Sequence, residues 1–137
     1  VAQVTFRSDN VFTERFGRDI VDDQFEVERY LEYHGAKLGR RFDTGSYVSI
    51  GTAMDLHDVA RSRGNVAAAM GRIRASALTI GISSDLLYPN YQQRQIDELL
   101  RSEGVDSTYV EVDSPHGHDA FLINLDQLAE PISRFLG

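Results

Sequence analysis

Cysteine is absent from this 137-residue chain, and so is tryptophan. Without thiols there are no disulfides and no thiolate chemistry, and any zinc site would have to come from four histidines and the carboxylates. Three prolines and eleven glycines are too few for a low-complexity segment. No run reaches the roughly 18 apolar residues of a membrane-spanning helix, and no charged-then-apolar leader is visible. Basic residues are outnumbered 14 to 21, a net charge of −7, which argues against a nucleic-acid partner. What is present is 42% hydrophobic and 26% charged, enough to build a core. The expectation is one domain, or a piece of one, in the cytoplasm, with no membrane and no nucleic-acid association.

The chain reads in two parts, 1–74 and 75–137. The first is helical in its periodicity. Its opening stretch, Val1 to Phe6, fits a short strand or a helix end. Val27, Tyr30, Leu31, His34 and Leu38 form one helical stripe, with Asp23 as a cap and Gly39 as a stop. Asp43 or Thr44 caps a second helix lined by Tyr47, Ile50, Ala53, Met54 and His57, and Asn65 caps a short alanine-rich turn. Helices without intervening strands suggest a cap or bundle. In the second part, Ala77 to Ile82 is a short apolar run that reads as a strand buried on both faces. A helix carrying Ile96, Leu99 and Leu100 follows from Pro89–Asn90, with Gly104 past its end. Thr108 to Val112 alternates as a second strand, 113–118 is a loop, and a last stripe runs from Leu125 to Leu136, kinked or delayed by Pro131. This is a βαβα unit of a parallel α/β sheet. Two strands do not make a stable sheet, so the unit needs partners, either by oligomerisation or from a larger domain.

In open α/β sheets functional groups gather at the carboxyl ends of strands. Asp85 lies just past the first strand, and His118 lies on the loop past the second. Parallel neighbouring strands bring both loops to one rim. A carboxylate that accepts from a histidine Nδ1–H fixes the tautomer and stabilises the imidazolium, the acid–base half of a Ser-His-Asp triad. The order acid before histidine is that of α/β-hydrolases. The plainer alternative is a turn-capping Asp85 and a solvated His118.

The segment Ser114-Pro115-His116-Gly117-His118-Asp119-Ala120-Phe121-Leu122 resembles the closing motif of the homoserine O-acetyltransferases, a family of the α/β-hydrolase fold. Gly81 to Pro89 resembles their acid loop, Tyr47 to Asp58 is similar to their lid region, and Thr5-Phe6-Arg7-Ser8 is similar to a segment after their fifth or sixth strand. The resemblance runs through nearly the whole chain in order. It implies the C-terminal part of an α/β-hydrolase fold, a helical lid segment (1–74) followed by the βαβα unit (75–137). It implies Asp85 as triad acid and His118 as general base. It further implies ping-pong transfer of acetyl from acetyl-CoA, a co-substrate with no other cofactor, to the hydroxyl of L-homoserine in methionine biosynthesis, in a cytoplasmic homodimer. Asp119 matches the family's acid beside the substrate ammonium. A first-turn helix acid or N-cap is the alternative for that residue.

Two departures stand out. No Gly-x-Ser-x-Gly elbow occurs in the chain, so the nucleophile is expected upstream and the chain alone is expected to be inactive. The family's arginine for the substrate carboxylate also falls before this segment, and Phe6 stands where tyrosine is frequent. Other donors or acceptors (homoserine O-succinyltransferase or serine O-acetyltransferase activity), an esterase, and a non-catalytic assembly module, should the native chain begin at Val1, are the competing readings. His116-x-His118-Asp119 resembles a metallohydrolase box, but three or four convergent ligands are lacking, so no metal is expected. His34 is expected to be a partly buried structural residue and His57 a lid residue near the site entrance. The pairs Arg40–Arg41, Arg61 with Arg63, and Arg72 with Arg74 are expected to be solvated, or to attract CoA phosphates.

Overall fold

The computed structural model describes residues 2–137; Val1, at the head of the stretch left as strand or helix, lies outside them. The chain forms two compact units. One holds the residues up to Phe12 together with Ala60–Gly137, and the other is Thr13–Val59. Residues 60–74, grouped above with the helical part, thus cluster with the strands. So does the beginning of the chain, for the reason that its residues hydrogen-bond to the loop after the second strand.

The first unit opens with α1 (Ala2–Thr5) and the first half of α2 (Asp9–Phe16). After α5 (Val66–Met70), capped by the Asn65 side chain on Ala68 N–H at 2.8 Å, comes β3 (Ala77–Ile82). α6 (Asn90–Ser102) crosses over to β4 (Ser107–Val112), which pairs parallel to β3 with Ala77 opposite Ser107 and Ile82 opposite Val112. Strand period two splits β3 between two layers. Ile80 and Ile82 face a small core of Val112, Ala120 and Leu128, whereas a Cβ on the intervening Gly81 would lie 3.1 Å from the Cβ of Asn90 on α6. A 3-10 turn (Gly117–Asp119), α7 (Ala120–Ile123) and α8 (Leu125–Leu136) complete the unit, and α8 continues through Pro131 instead of being delayed by it.

α6 is tied to β4 by a buried carboxylate. Asp97, 5% exposed, accepts from the Ser107 hydroxyl at 2.6 Å and pairs with Arg101 Nε at 2.9 Å. Asp97→Ala leaves the buried Ser107 hydroxyl without its acceptor and is expected to cost about 1–3 kcal/mol in urea denaturation. The double variant Asp97→Ala/Ser107→Ala, which removes both partners, should recover part of that loss.

The second unit holds a hairpin that the sequence reading did not find. β1 (Ile20–Val21) pairs antiparallel with β2 (Gln24–Phe25). Asp22 and Asp23 both adopt left-handed backbone, φ 52° and 61°, as a two-residue primed turn requires. Asp23 is therefore a turn residue and not a helix cap. α3 (Glu26–Arg41) starts later, with the Glu28 carboxylate accepting from Phe25 N–H at 3.2 Å, and it runs past both Gly35 and Gly39. Asp43 caps α4 (Thr44–Asp55), accepting from Gly45 and Ser46 N–H at 2.8 and 2.9 Å. His34 is half-buried between the rings of Tyr30 and Tyr33, and His57 is exposed. Among the described residues no helix is long and apolar enough to cross a membrane.

Candidate active site

The ends of β3 and β4 are neighbours in the ladder, so the loops that leave them share one rim. On that rim Asp85 Oδ2 lies 2.8 Å from His118 Nδ1. These residues are 33 positions apart in sequence, and the parallel register joins them. Asp85 is 7% exposed, and its other oxygen is anchored locally. Oδ1 accepts from Leu87 and Tyr88 N–H at 2.8 and 2.9 Å, an Asx turn that fixes the carboxylate plane. An ionised carboxylate only accepts, so Nδ1 carries the proton and Nε2 is left with a lone pair. The rings of Phe6, Tyr88 and Phe121 surround the imidazole at centroid distances of 5.1, 5.3 and 5.3 Å. Beside it lies a cavity of about 690 Å³ lined by Asp85, His118, Tyr88, Phe121, Ile82 and Ile96, among others.

The histidine loop is pinned from both sides. Ser83 Oγ donates to Asp113 at 2.8 Å and accepts from Ser114 N–H at 3.0 Å. Ser84 Oγ donates to the Ser114 carbonyl and accepts from Gly117 N–H at 2.9 Å. The fully buried Ser114 hydroxyl bonds Asn124 at 2.8 Å. These serines therefore hold the loop, and Ser84, adjacent to the acid, is already engaged twice. On the far side three consecutive residues grip the same loop. Phe6 accepts from Asp119 N–H at 3.0 Å, Arg7 Nε lies 3.3 Å from Asp119 Oδ2, and the Ser8 hydroxyl donates to the Pro115 carbonyl. The sequence reading gave no role to Arg7, Ser8 or Ser114. Their only signal was that Thr5 to Ser8 and Ser114 to Leu122 fall in segments with a family resemblance.

Asp119 is thus beside His118, half-buried, and paired with Arg7. It precedes α7, and its side chain makes no cap hydrogen bond, which removes the N-cap alternative; the first-turn acid alternative stands, since Asp119 lies in the 3-10 turn. Phe6 has no hydroxyl to offer; its ring covers His118 instead. Among the described residues no group of three or more His, Asp or Glu side chains converges as metal ligands do.

An aspartate and a histidine joined at the ends of adjacent parallel strands have the geometry that the acid–base half of a Ser-His-Asp triad requires. Solved structures place the fold. A crystal structure of homoserine O-acetyltransferase from Bacillus anthracis superposes with a TM-score of 0.86 at 20% identity, over 98% of this chain and 38% of that one. An esterase superposes at 0.82 with 21% identity, over 98% of this chain and 39% of its own. The chain is the C-terminal part of an α/β-hydrolase fold. No family model matches it. Its sequence is 44% identical over 146 residues to homoserine O-acetyltransferase of Symbiobacterium thermophilum, and 45% identical over 141 residues to that of Moorella thermoacetica. These matches take in 99% and 97% of this chain and 38% of each relative. By sequence the chain is similar to curated proteins named homoserine O-acetyltransferase, and it spans about 38% of the length of the relatives it matches.

Proposed function

We propose that this chain supplies the acid and the general base of a homoserine O-acetyltransferase whose serine nucleophile and oxyanion hole lie in residues preceding Val1. The contact of 2.8 Å between Asp85 and His118 is the observation that carries this reading, together with the sequence relationship. His118 Nε2 takes the proton of the serine hydroxyl as its oxygen attacks the acetyl-CoA thioester. The C–S bond breaks, and the CoA sulfur leaves with the proton from His118. In the second half, Nε2 takes the proton of the homoserine hydroxyl, whose oxygen attacks the acetyl-serine. O-acetylhomoserine departs, and the proton returns to serine. Asp85 holds the imidazole tautomer and stabilises its charged form throughout. Asp119 holds the substrate ammonium. Acetyl-CoA is a co-substrate, and no other cofactor takes part.

The helical segment 1–74 takes the part of the family's lid, which keeps water from an acyl-enzyme, and the exposed apolar side chains of Phe25, Tyr33 and Leu38 suit a homodimer contact. Work in methionine biosynthesis in the cytoplasm follows from that activity.

Thiol release by the full-length protein is the direct test. It should require both acetyl-CoA and L-homoserine, and acetyl-CoA alone should give one burst and little turnover. Sustained release with water as the acceptor would make the protein an esterase, and preference for succinyl-CoA or for serine would change donor or acceptor. The isolated 137-residue chain should release none.

A further inference from the structure

The Arg7–Asp119 pair has no part in the proton relay just described, yet it lies directly beside it. Three features make it a built contact. Both side chains are largely buried, 24% and 21% exposed. The backbones are joined next to it, Asp119 N–H to the Phe6 carbonyl at 3.0 Å. The approach is close enough that a Cβ on Gly117 would lie 2.8 Å from that carbonyl and 2.9 Å from Arg7 Cα. The Arg7 backbone is therefore held against the loop that carries Asp119, which keeps the guanidinium within reach of that carboxylate.

We propose that Arg7 is a positioning residue that orients the Asp119 carboxylate for the cationic amine of the acceptor substrate, and so sets selectivity for amino-alcohol acceptors. The contact engages Oδ2 through Arg7 Nε. A carboxylate has about four lone-pair sites, so one paired to a single guanidinium N–H can still accept from an ammonium. An unpaired aspartate beside the site would choose among rotamers and lose affinity to that freedom, while the pairing fixes one before substrate arrives. The inference rests on the reading of Asp119 given above.

The experiment compares two acceptors in the full-length enzyme, L-homoserine and 4-hydroxybutyrate, which keeps the hydroxyl and carboxylate but lacks the amine. Arg7→Gln should lower kcat/KM for homoserine by about tenfold, mainly through KM, and move 4-hydroxybutyrate little. Asp119→Asn should show the same pattern, and Arg7→Gln/Asp119→Asn should be no worse than Asp119→Asn alone, because Arg7 acts through that carboxylate. Arg7→Lys, which keeps the charge but not the fork, should recover part of the homoserine selectivity. Equal losses for both acceptors in Arg7→Gln and in Arg7→Lys would reduce Arg7 to a strut of the histidine loop and overturn the proposal. So would additive losses in the double variant. A wild-type enzyme that acetylates neither acceptor would overturn the parent function itself, a result distinct from any of these variant outcomes.

Discussion

His118→Ala in the full-length enzyme is expected to lower kcat by about a thousandfold or more, with the thermal melting temperature little changed. The side chain is half-buried and packs edge-on or tilted against three rings, so its loss leaves a small gap open to the adjoining cavity, where water can replace the imidazole as partner of Asp85 Oδ2, while Oδ1 keeps its two backbone donors. Asp85 offers the sharper test because its two oxygens do different work. Oδ1 accepts from two N–H groups, and Oδ2 accepts from the imidazole. In Asp85→Asn the amide has one acceptor only. Its carbonyl oxygen is claimed by Leu87 and Tyr88 N–H, which turns its NH2 toward His118 Nδ1. The imidazole must then accept at Nδ1 and carry its proton on Nε2, the nitrogen that has to act as base. Asp85→Asn is therefore expected to be at least as slow as Asp85→Ala, each losing about a thousandfold or more, although asparagine keeps the shape. Single-turnover acetylation with acetyl-CoA measures this without interference from the acceptor. Normal turnover in His118→Ala ends the general-base assignment, and an asparagine variant much faster than the alanine variant ends the tautomer argument.

How much of this was legible beforehand depended on whether the cause was local. β3 was read from Ala77 to Ile82 and is found there, because a β-branched apolar run bounded by Ser83-Ser84-Asp85 carries its own limits. Topology brought the acid and histidine, 33 residues apart, to one rim, since parallel neighbouring strands place successive loop ends together, and the family resemblance supplied their roles. Asn65 and Asp43 were legible as caps because the capping bond reaches only two or three residues ahead. The hairpin at Ile20–Phe25 was missed because its turn lacks the usual Asn-Gly pair and uses Asp22-Asp23. α3 passes Gly35 and Gly39 because a glycine costs a helix only about 1 kcal/mol, which its neighbours offset. The grip of residues 6–8 on the histidine loop was illegible for a different reason. Ser8 and Pro115 are 107 positions apart, and nothing in the local pattern of either announces the other. The family resemblance marked both segments without showing that they touch.

That grip makes Gly117 the most constrained backbone position of the site. Its φ is +66°, and an added Cβ would sit 2.8 Å from the Phe6 carbonyl oxygen and 2.9 Å from two Arg7 backbone atoms. Gly104, just past α6, serves as a control, since its φ is +78° and a Cβ there meets nothing within 4 Å. Gly104→Ala therefore suffers only the left-handed backbone penalty, about 1 kcal/mol, and should leave turnover unaffected. Gly117→Ala suffers the same penalty plus a collision with main-chain atoms that no rotamer can relieve, roughly 2–4 kcal/mol together. Relief can come only by pushing the 6–8 strap away from the loop. That movement breaks the Asp119 N–H bond to Phe6, separates Arg7 from Asp119, and lets His118 swing from Asp85. The variant is expected to lose both stability and kcat, whereas the control loses a little stability alone. Urea denaturation with parallel acetylation kinetics on the two variants separates these effects. If both substitutions cost the same and both enzymes turn over normally, the close approach of the strap to the histidine loop is not what holds the base in place.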